Sequence, residues 1–114
     1  DANAYLYRGL TYSKLNEYSN TIKDLTKFLR LISGYHKEKP EALLQRAIAQ
    51  FYQQEYNAAI NDLTEVIKRE SNHWLAYRIL AFIHDEKGNY LQALTNYNKA
   101  IQHYIGHILD LSFV

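Results

Sequence analysis

Cysteine and methionine are both absent from this 114-residue sequence, and proline occurs only once. Without cysteine there is no disulfide framework, no thiolate nucleophile and no Cys-based zinc site. The absence of cysteine does not distinguish an oxidising from a reducing compartment. No apolar run approaches the roughly 18 residues of a membrane span, and no signal-peptide pattern opens the chain. The formal net charge is only +1, and no Lys/Arg block is long. This charge distribution argues against a nucleic-acid or membrane surface dominated by charge.

Motifs for catalysis and metal binding are equally scarce. The four glycines are scattered and form no phosphate-binding loop. His103 and His107 would share a helical face, but no clear third ligand lies near them, whereas a zinc site needs at least three protein ligands. We therefore predict no enzymatic activity, no metal site and no cofactor. Four carboxylates are expected to be solvated surface charges: Asp24, Asp62, Asp85 and Glu86.

What the chain does contain is an internal repeat. Tyr18, Tyr56 and Tyr90 each begin a near-copy of one phrase: YSNTIKDLTKFL, YNAAINDLTEVI and YLQALTNYNKAI. The spacings between these tyrosines are 38 and 34 residues. A period in this range predicts stacked supersecondary units, none of which can bury its apolar face alone.

Each repeat is predicted to contain two helices, because its apolar residues recur at spacings of three and four. Pro40 suits the first turn of one helix, and Gly88 suits a helix end. Residues 33–39 are predicted to form an enlarged surface loop between the first two repeats. The predicted helices are 4–15, 19–32, 41–53, 57–69, 74–87 and 91–104.

These repeats resemble the tetratricopeptide repeat, a helix–turn–helix unit of 34 residues. In the first repeat its signature positions hold Tyr5, Gly9, Tyr12, Tyr18, Thr21, Leu25 and Phe28. In the second they hold Leu43, Ala47, Gln50, Tyr56, Ala59, Leu63 and Val66. In the third they hold Tyr77, Ala81, His84, Tyr90, Ala93, Tyr97 and Ala100. Phe28 and Val66 depart from the family's preferred Ala, and Gln50 and His84 depart from its preferred aromatic residue.

The resemblance implies an all-α fold, a right-handed superhelix of three stacked helix–turn–helix repeats that form an α–α solenoid. The first helix of each repeat would line a concave side, and the second helices would form the convex side. Gly9 and its equivalents Ala47 and Ala81 would leave room for the paired helices to cross closely.

On that superhelix the first helices would present a mainly apolar groove. Such a patch usually marks an interaction site, unless a neighbouring chain, the enlarged loop or the C-terminal tail covers it. The predicted partner-binding residues are Leu6, Leu10, Leu44, Ile48, Phe51, Tyr52, Leu75, Arg78 and Phe82.

The resemblance and the groove together predict a protein–protein interaction scaffold or adaptor that binds a peptide or helix. Two alternatives stay open. One is a structural segment of a longer array that packs internally or self-associates, and the other is an RNA-binding helical-repeat module, which would need a basic groove. The carboxylate clamp of chaperone-binding family members is not expected here. The matching places hold Leu6, Leu10, Gln45, Leu75 and Ile79.

The chain begins with Asp1 rather than Met, and its apolar last segment, 105–114, is too short for a helix pair. We therefore expect a single domain, 1–114, that is a fragment of a longer protein, with repeats at about 2–35, 40–73 and 74–107. The last segment is expected to pack on the third repeat or on another copy of the chain. The expected partner is a protein or peptide rather than nucleic acid or membrane, in an intracellular, cytoplasmic location.

Overall fold

A computed structural model describes residues 1–109, and within that range the regular structure is entirely α-helical. The all-α prediction is therefore confirmed. The first five helices begin and end within two residues of the predicted positions, and the sixth runs four residues further. The helices are α1 (Ala2–Lys14), α2 (Tyr18–Leu31), α3 (Lys39–Tyr52), α4 (Tyr56–Arg69), α5 (Trp74–Glu86) and α6 (Tyr90–Ile108).

Consecutive helices pair as hairpin one (α1 and α2), hairpin two (α3 and α4) and hairpin three (α5 and α6). The chain divides into two compact units, Asp1–Glu65 and Val66–Val114, with the boundary inside α4. In the first unit α1 packs on α2, and α3 contacts both of these helices. In the second unit α5 packs on α6.

All three hairpins turn in the same way, through one residue with a left-handed backbone. These residues are Asn16 (φ 58°), Gln54 (φ 62°) and Gly88 (φ 78°), which occupy equivalent places in the repeats. After each of them, a backbone N–H returns to the carbonyl five residues earlier, at 2.8–3.0 Å, as in a Schellman helix end. Asn tolerates the left-handed conformation better than most residues and Gly adopts it freely, whereas Gln54 adopts it without the freedom of glycine.

The core of the first unit forms where α3 lies against hairpin one. Leu6, Leu25, Phe28 and Ala42 make one cluster, and each has no exposed surface. The ring of His36, in the loop between the hairpins, meets Phe28 edge-on with ring centroids 5.0 Å apart. The enlarged loop therefore helps to enclose the phenylalanine that replaces the family's small residue.

Close crossing of α1 and α2 depends on Gly9, as predicted. A Cβ atom at this position would lie 2.8 Å from Leu25 Cδ2 and 3.2 Å from Asp24 Cβ. Only a residue without a side chain leaves that space open, because the neighbouring atoms already stand at contact distance.

Asp24 and Asp62 are buried, which corrects the expectation that they are solvated. Each carboxylate accepts two hydrogen bonds from an arginine on the first helix of its own hairpin. Arg8 donates from Nε at 2.6 Å and Nη2 at 2.8 Å to Asp24, and Arg46 donates at 2.7 and 2.8 Å to Asp62. These bidentate pairs join the two helices of hairpins one and two at the same repeat position.

Candidate interaction surfaces

The predicted groove residues on α1 and α3 differ in how far they are buried. Leu10 and Ile48 are half-buried, and Leu10 packs against the core cluster. Leu6 is fully buried and Leu44 is 3% exposed, so neither is open to solvent as the predicted groove required. For Leu6 the reason is that it points toward α3, where Ala42 covers it. The apolar surface that remains on this side is therefore narrower than the sequence indicated.

A polar network runs beside this narrower surface, between α1 and α3. Ser13 Oγ donates to Gln45 Oε1 at 2.9 Å, and Gln45 Nε2 donates to Glu41 Oε1 at 2.9 Å. Because Gln45 uses both ends of its amide, its orientation is fixed by the two neighbours. Any ligand on the first-helix side of this unit therefore meets oriented hydrogen-bonding groups next to half-buried aliphatic ones.

Aromatic rings gather where hairpins one and two turn. Tyr52 stacks on Tyr18 with centroids 4.7 Å apart and an interplanar angle of 12°. Phe51 lies 5.3 Å from the ring of Tyr52 and 5.8 Å from that of Tyr56. Tyr52, predicted as a groove residue, thus contributes to packing between the hairpins while more than half of it stays exposed. The cluster is a rigid aromatic surface of the kind that protein interfaces favour.

In the second unit, Leu75, Arg78 and Phe82 follow the three- and four-residue spacing that places side chains on one side of a helix. Leu75 is half-buried, Arg78 is exposed and Phe82 is 47% exposed. The Arg78 guanidinium lies 5.8 Å from the ring centroid of Trp74, within reach of a cation–π interaction. This side of α5 therefore combines a large exposed apolar residue with a positioned cation.

A pocket of about 390 Å³ opens between α5 and α6. Nothing in the sequence indicated this pocket, because Tyr97 holds a signature position of the repeat. Trp74 and Tyr104 meet edge-on across it, with centroids 4.9 Å apart. Burial, with a smaller contribution from Asp85, raises the pKa of Tyr97 and favours its neutral phenol. The lining residues are Trp74, Arg78, Tyr97, Ala100, Ile101 and Tyr104.

Two histidines of α6 contact aromatic rings of α5. His103 stacks on Tyr77 with centroids 5.3 Å apart, and His107 lies 6.5 Å from Trp74. Burial, followed by the charge of Lys87, lowers the pKa of His84 and favours the neutral imidazole. Among residues 1–109 no group of three or more His, Cys, Asp or Glu side chains is arranged to hold a metal ion. No helix in that range is long and apolar enough to cross a bilayer.

Comparison with known proteins supports the repeat assignment. Residues 41–73 match the sequence profile of the tetratricopeptide repeat, so this segment of the chain is a repeat of that type. No curated protein matches the chain in sequence.

Solved structures of MamA share the fold. A crystal structure of MamA is 27% identical, with a TM-score of 0.84 over 93% of this chain. MamA AMB-1 is 19% identical with a TM-score of 0.84, and MamA MSR-1 is 17% identical with a TM-score of 0.81. These matches cover 60%, 60% and 57% of the respective MamA chains, so this chain spans somewhat more than half the length of each.

Proposed function

We propose that this chain is a non-enzymatic protein-interaction scaffold that holds a peptide or helix against the first helices of its repeats. The repeat profile at residues 41–73 and the fold shared with MamA support a role in protein interaction in general. The observation that carries the finer proposal is the exposed Phe82 beside Arg78 on α5. A large apolar side chain next to a fixed cation suits a partner with a hydrophobic anchor and a nearby carboxylate.

In the first unit the proposed contact surface consists of Leu10, Ile48, Phe51 and Tyr52. Leu6 and Leu44 are left out of it, because a buried side chain cannot contact a ligand without unfolding its surroundings. The polar neighbours Ser13, Gln45 and Glu41 would orient the backbone of an extended peptide. Aromatic and aliphatic groups beside oriented hydrogen-bonding groups are the usual composition of a peptide site.

The experiment starts from a peptide selected by display on the unmodified chain. Its affinity is then measured for Phe82→Glu and Ile48→Glu, which place a carboxylate on each proposed surface. We expect each variant to lose at least about tenfold in affinity, or about 1.4 kcal/mol. Circular dichroism must show an unchanged helix content in both.

Matched controls come from the second helices. Leu94→Glu tests a side chain on α6 with exposure similar to that of Phe82, 57% against 47%. Ile60→Glu tests a half-buried isoleucine on α4, comparable with Ile48. Both controls should bind the peptide normally. If the controls lose binding while Phe82→Glu and Ile48→Glu retain it, the partner uses the second helices and the proposal is wrong.

Self-association through the C-terminal segment is a second candidate, favoured by the exposure of its apolar residues. Ile105, Ile108 and Leu109 are 45%, 58% and 60% exposed, so these three side chains at the end of α6 leave much of their apolar surface open to solvent. Residues 110–114, which complete the predicted segment, lie outside the described range. Replacing Ile105 and Ile108 with Gln should then reduce any concentration-dependent association, which sedimentation velocity would measure.

A further inference from the structure

Two histidines lie in the segments that connect successive hairpins, and each caps the backbone where the next first helix begins. His36 Nδ1 accepts a hydrogen bond at 3.1 Å from the N–H of Glu38, the N-cap residue of α3. His73 is itself the N-cap residue of α5, and its Nδ1 accepts from the N–H of Ala76, also at 3.1 Å. Because a backbone N–H only donates, Nδ1 carries no proton in either ring, and the proton of the neutral imidazole lies on Nε2.

His36 also connects the enlarged loop to hairpin one. Its ring meets the completely buried Phe28 edge-on, with centroids 5.0 Å apart. Its backbone carbonyl accepts from the N–H of Lys39, the first residue of α3, at 3.0 Å. One residue therefore contacts the core of hairpin one, the backbone of the loop and the start of α3.

Protonation of His36 would break this arrangement. The charged imidazole donates from both nitrogens, so Nδ1 and the Glu38 N–H would become two donors that face each other. The added charge would also lie near the N-terminus of α3, where the helix dipole is positive. Both effects disfavour the charged ring in its place against Phe28, so uptake of a proton favours a displaced loop.

The groups around the His36 ring do not offset this effect. Within residues 1–109 the ring forms no ion pair, and from α2 it meets the uncharged Phe28. The side chain of Lys39 is directed to Glu65 on α4, at 3.4 Å. The charged and titratable groups of the loop, α1 and α3 that surround His36 are Lys37, Glu38, Tyr35, Tyr7 and Lys39. Because Lys37 and Glu38 carry opposite charges, the loop itself supplies no net counter-charge.

His73 forms the same kind of cap beside a carboxylate. Its Nε2 lies 3.9 Å from Glu70 Oε2, close enough for an ion pair once the ring is charged. That pair would offset the loss of the cap, so acid should disturb this junction less than the enlarged loop. The other titratable and charged groups of the junction are Lys68 and Arg69 at the end of α4, and His103 and His107, which contact the rings of Tyr77 and Trp74.

We propose that His36 is a pH-sensitive latch. The neutral ring holds the enlarged loop against hairpin one, and proton uptake releases the loop, whereas Glu70 makes the junction at His73 tolerant of acid. Release changes the pocket of about 340 Å³ that the loop forms with α1, and it loosens the start of α3. Glu41 in the first turn of α3 bonds to Gln45, so the latch regulates the polar network beside the proposed peptide surface. The latch consists of hydrogen bonds within the chain and is therefore independent of the scaffold proposal.

Nuclear magnetic resonance of the unmodified chain tests both junctions in one sample. At about pH 7.5 the nitrogen chemical shifts of the imidazoles should identify, for His36 and His73, the tautomer with its proton on Nε2. Amide hydrogen exchange, corrected for the intrinsic dependence of the rate on pH, then gives the protection of Glu38 and Ala76. Between about pH 7.5 and about pH 5, protection should fall at least about tenfold at Glu38 and less than about threefold at Ala76. The amide of Phe28 in the core reports global unfolding, and its protection should change less than that of Glu38.

Three variants complete the test. His36→Asn keeps an acceptor oxygen near the place of Nδ1 at every pH, so the protection of Glu38 should vary less than about threefold. His36→Ala removes the acceptor, so the protection of Glu38 should already be low at neutral pH. Glu70→Gln removes the counter-charge of His73, so the protection of Ala76 should now fall about tenfold in acid.

The proposal is overturned if the neutral His36 ring carries its proton on Nδ1. It is also overturned if the protection of Glu38 stays constant while the nitrogen shifts show that His36 becomes charged, or if His36→Asn loses as much protection in acid as the unmodified chain. An unchanged response of Ala76 in Glu70→Gln overturns the role assigned to Glu70. None of these measurements needs a peptide, so the latch and the scaffold proposal can fail separately.

Discussion

Hairpins one and three occupy equivalent places in the repeat, yet they are held together by different chemistry. In hairpin one, Arg8 and the buried Asp24 form a bidentate pair between the helices. In hairpin three the same two positions hold Leu80 and Asn96, and Leu80 is buried. The fold therefore does not require the ion pair. Either an arginine–aspartate pair or an apolar residue with an amide can fill this place between the helices.

The two hairpins also differ in how their stacking surfaces are used. The surface of hairpin one is completely buried at Leu25 and Phe28, where α3 contributes Ala42. The equivalent surface of hairpin three is lined by larger and more polar side chains around an open pocket. Equivalent positions thus carry aliphatic core in one place and an aromatic rim with a cation in the other.

The largest effect should come from the covered surface. Leu25→Ala should lower the free energy of unfolding by about 4 kcal/mol, because it leaves a cavity beside Phe28 and Leu6. Tyr97→Ala, the equivalent change in hairpin three, should cost about 1 kcal/mol or less, since Tyr97 borders an open pocket. Urea unfolding followed by circular dichroism measures both. Equal losses would mean that the residues around the pocket between α5 and α6 are as well packed as the core of the first unit.

The sequence was sufficient to predict the helices and the repeat. It did not predict the burial of an aspartate that pairs with an arginine on another helix. Asp24 follows Lys23 and precedes Lys27, so the pattern of charges assigns it to a solvated face of α2. Its burial depends on Arg8, which lies 16 residues away on the other helix. The available signal was that an Arg and an Asp recur at this spacing in two repeats and are both replaced in the third.

The predicted groove failed at Leu6 and Leu44 for a related reason. The helical period and the expected superhelix predict the direction in which a side chain points. They do not predict how closely the neighbouring helix approaches it. Leu6 points into the space that α3 fills, so packing rather than periodicity determines its exposure. The pocket between α5 and α6 was not predicted, because the equivalent residues of hairpin one are core residues. Only the packing of hairpin one shows that such a surface needs a covering helix.

The second largest effect should come from the ion pair of hairpin two. Asp62→Ala should cost about 3 kcal/mol, because Arg46 is only 20% exposed and would lose its buried partner. If Asp62 were solvated, as the sequence predicted, the same substitution would leave the free energy of unfolding nearly unchanged.

The double change Arg46→Leu with Asp62→Asn gives hairpin two the residue types that hairpin three has at these two positions. It should recover most of the loss, because no charge is then left buried without a partner. Chemical denaturation of Arg46→Leu alone, Asp62→Asn alone and the double variant completes the cycle. A double variant as unstable as the sum of the single ones would show that hairpin two specifically needs the ion pair.

The turns offer a smaller and more local comparison. Gln54 and Gly88 adopt the same left-handed backbone, which is unfavourable for residues with a Cβ atom. Gly88→Gln should therefore destabilise the chain by about 1 kcal/mol, although no neighbouring atom lies within 4 Å of the place that its Cβ would take. Gln54→Gly should stabilise it by about 0.5 kcal/mol, because part of the gain is offset by the greater freedom of glycine when unfolded. Thermal unfolding midpoints should move in opposite directions in the two variants.

The smallest effect should depend on pH and come from the position that holds Tyr12, Gln50 and His84 in the three hairpins. Within residues 1–109, the buried Nδ1 of His84 and Oε1 of Gln50 have no hydrogen-bond partner. Burial lowers the pKa of His84 in the folded chain, so the unfolded chain binds a proton more readily. The contribution of neutral His84 to stability is therefore complete above about pH 6.5, the ordinary histidine value, and declines as the pH falls toward the lowered value. His84→Tyr, which installs the residue of hairpin one, should reduce the loss of thermal stability between about pH 7 and pH 5. An unchanged loss would assign the pH dependence to the other histidines.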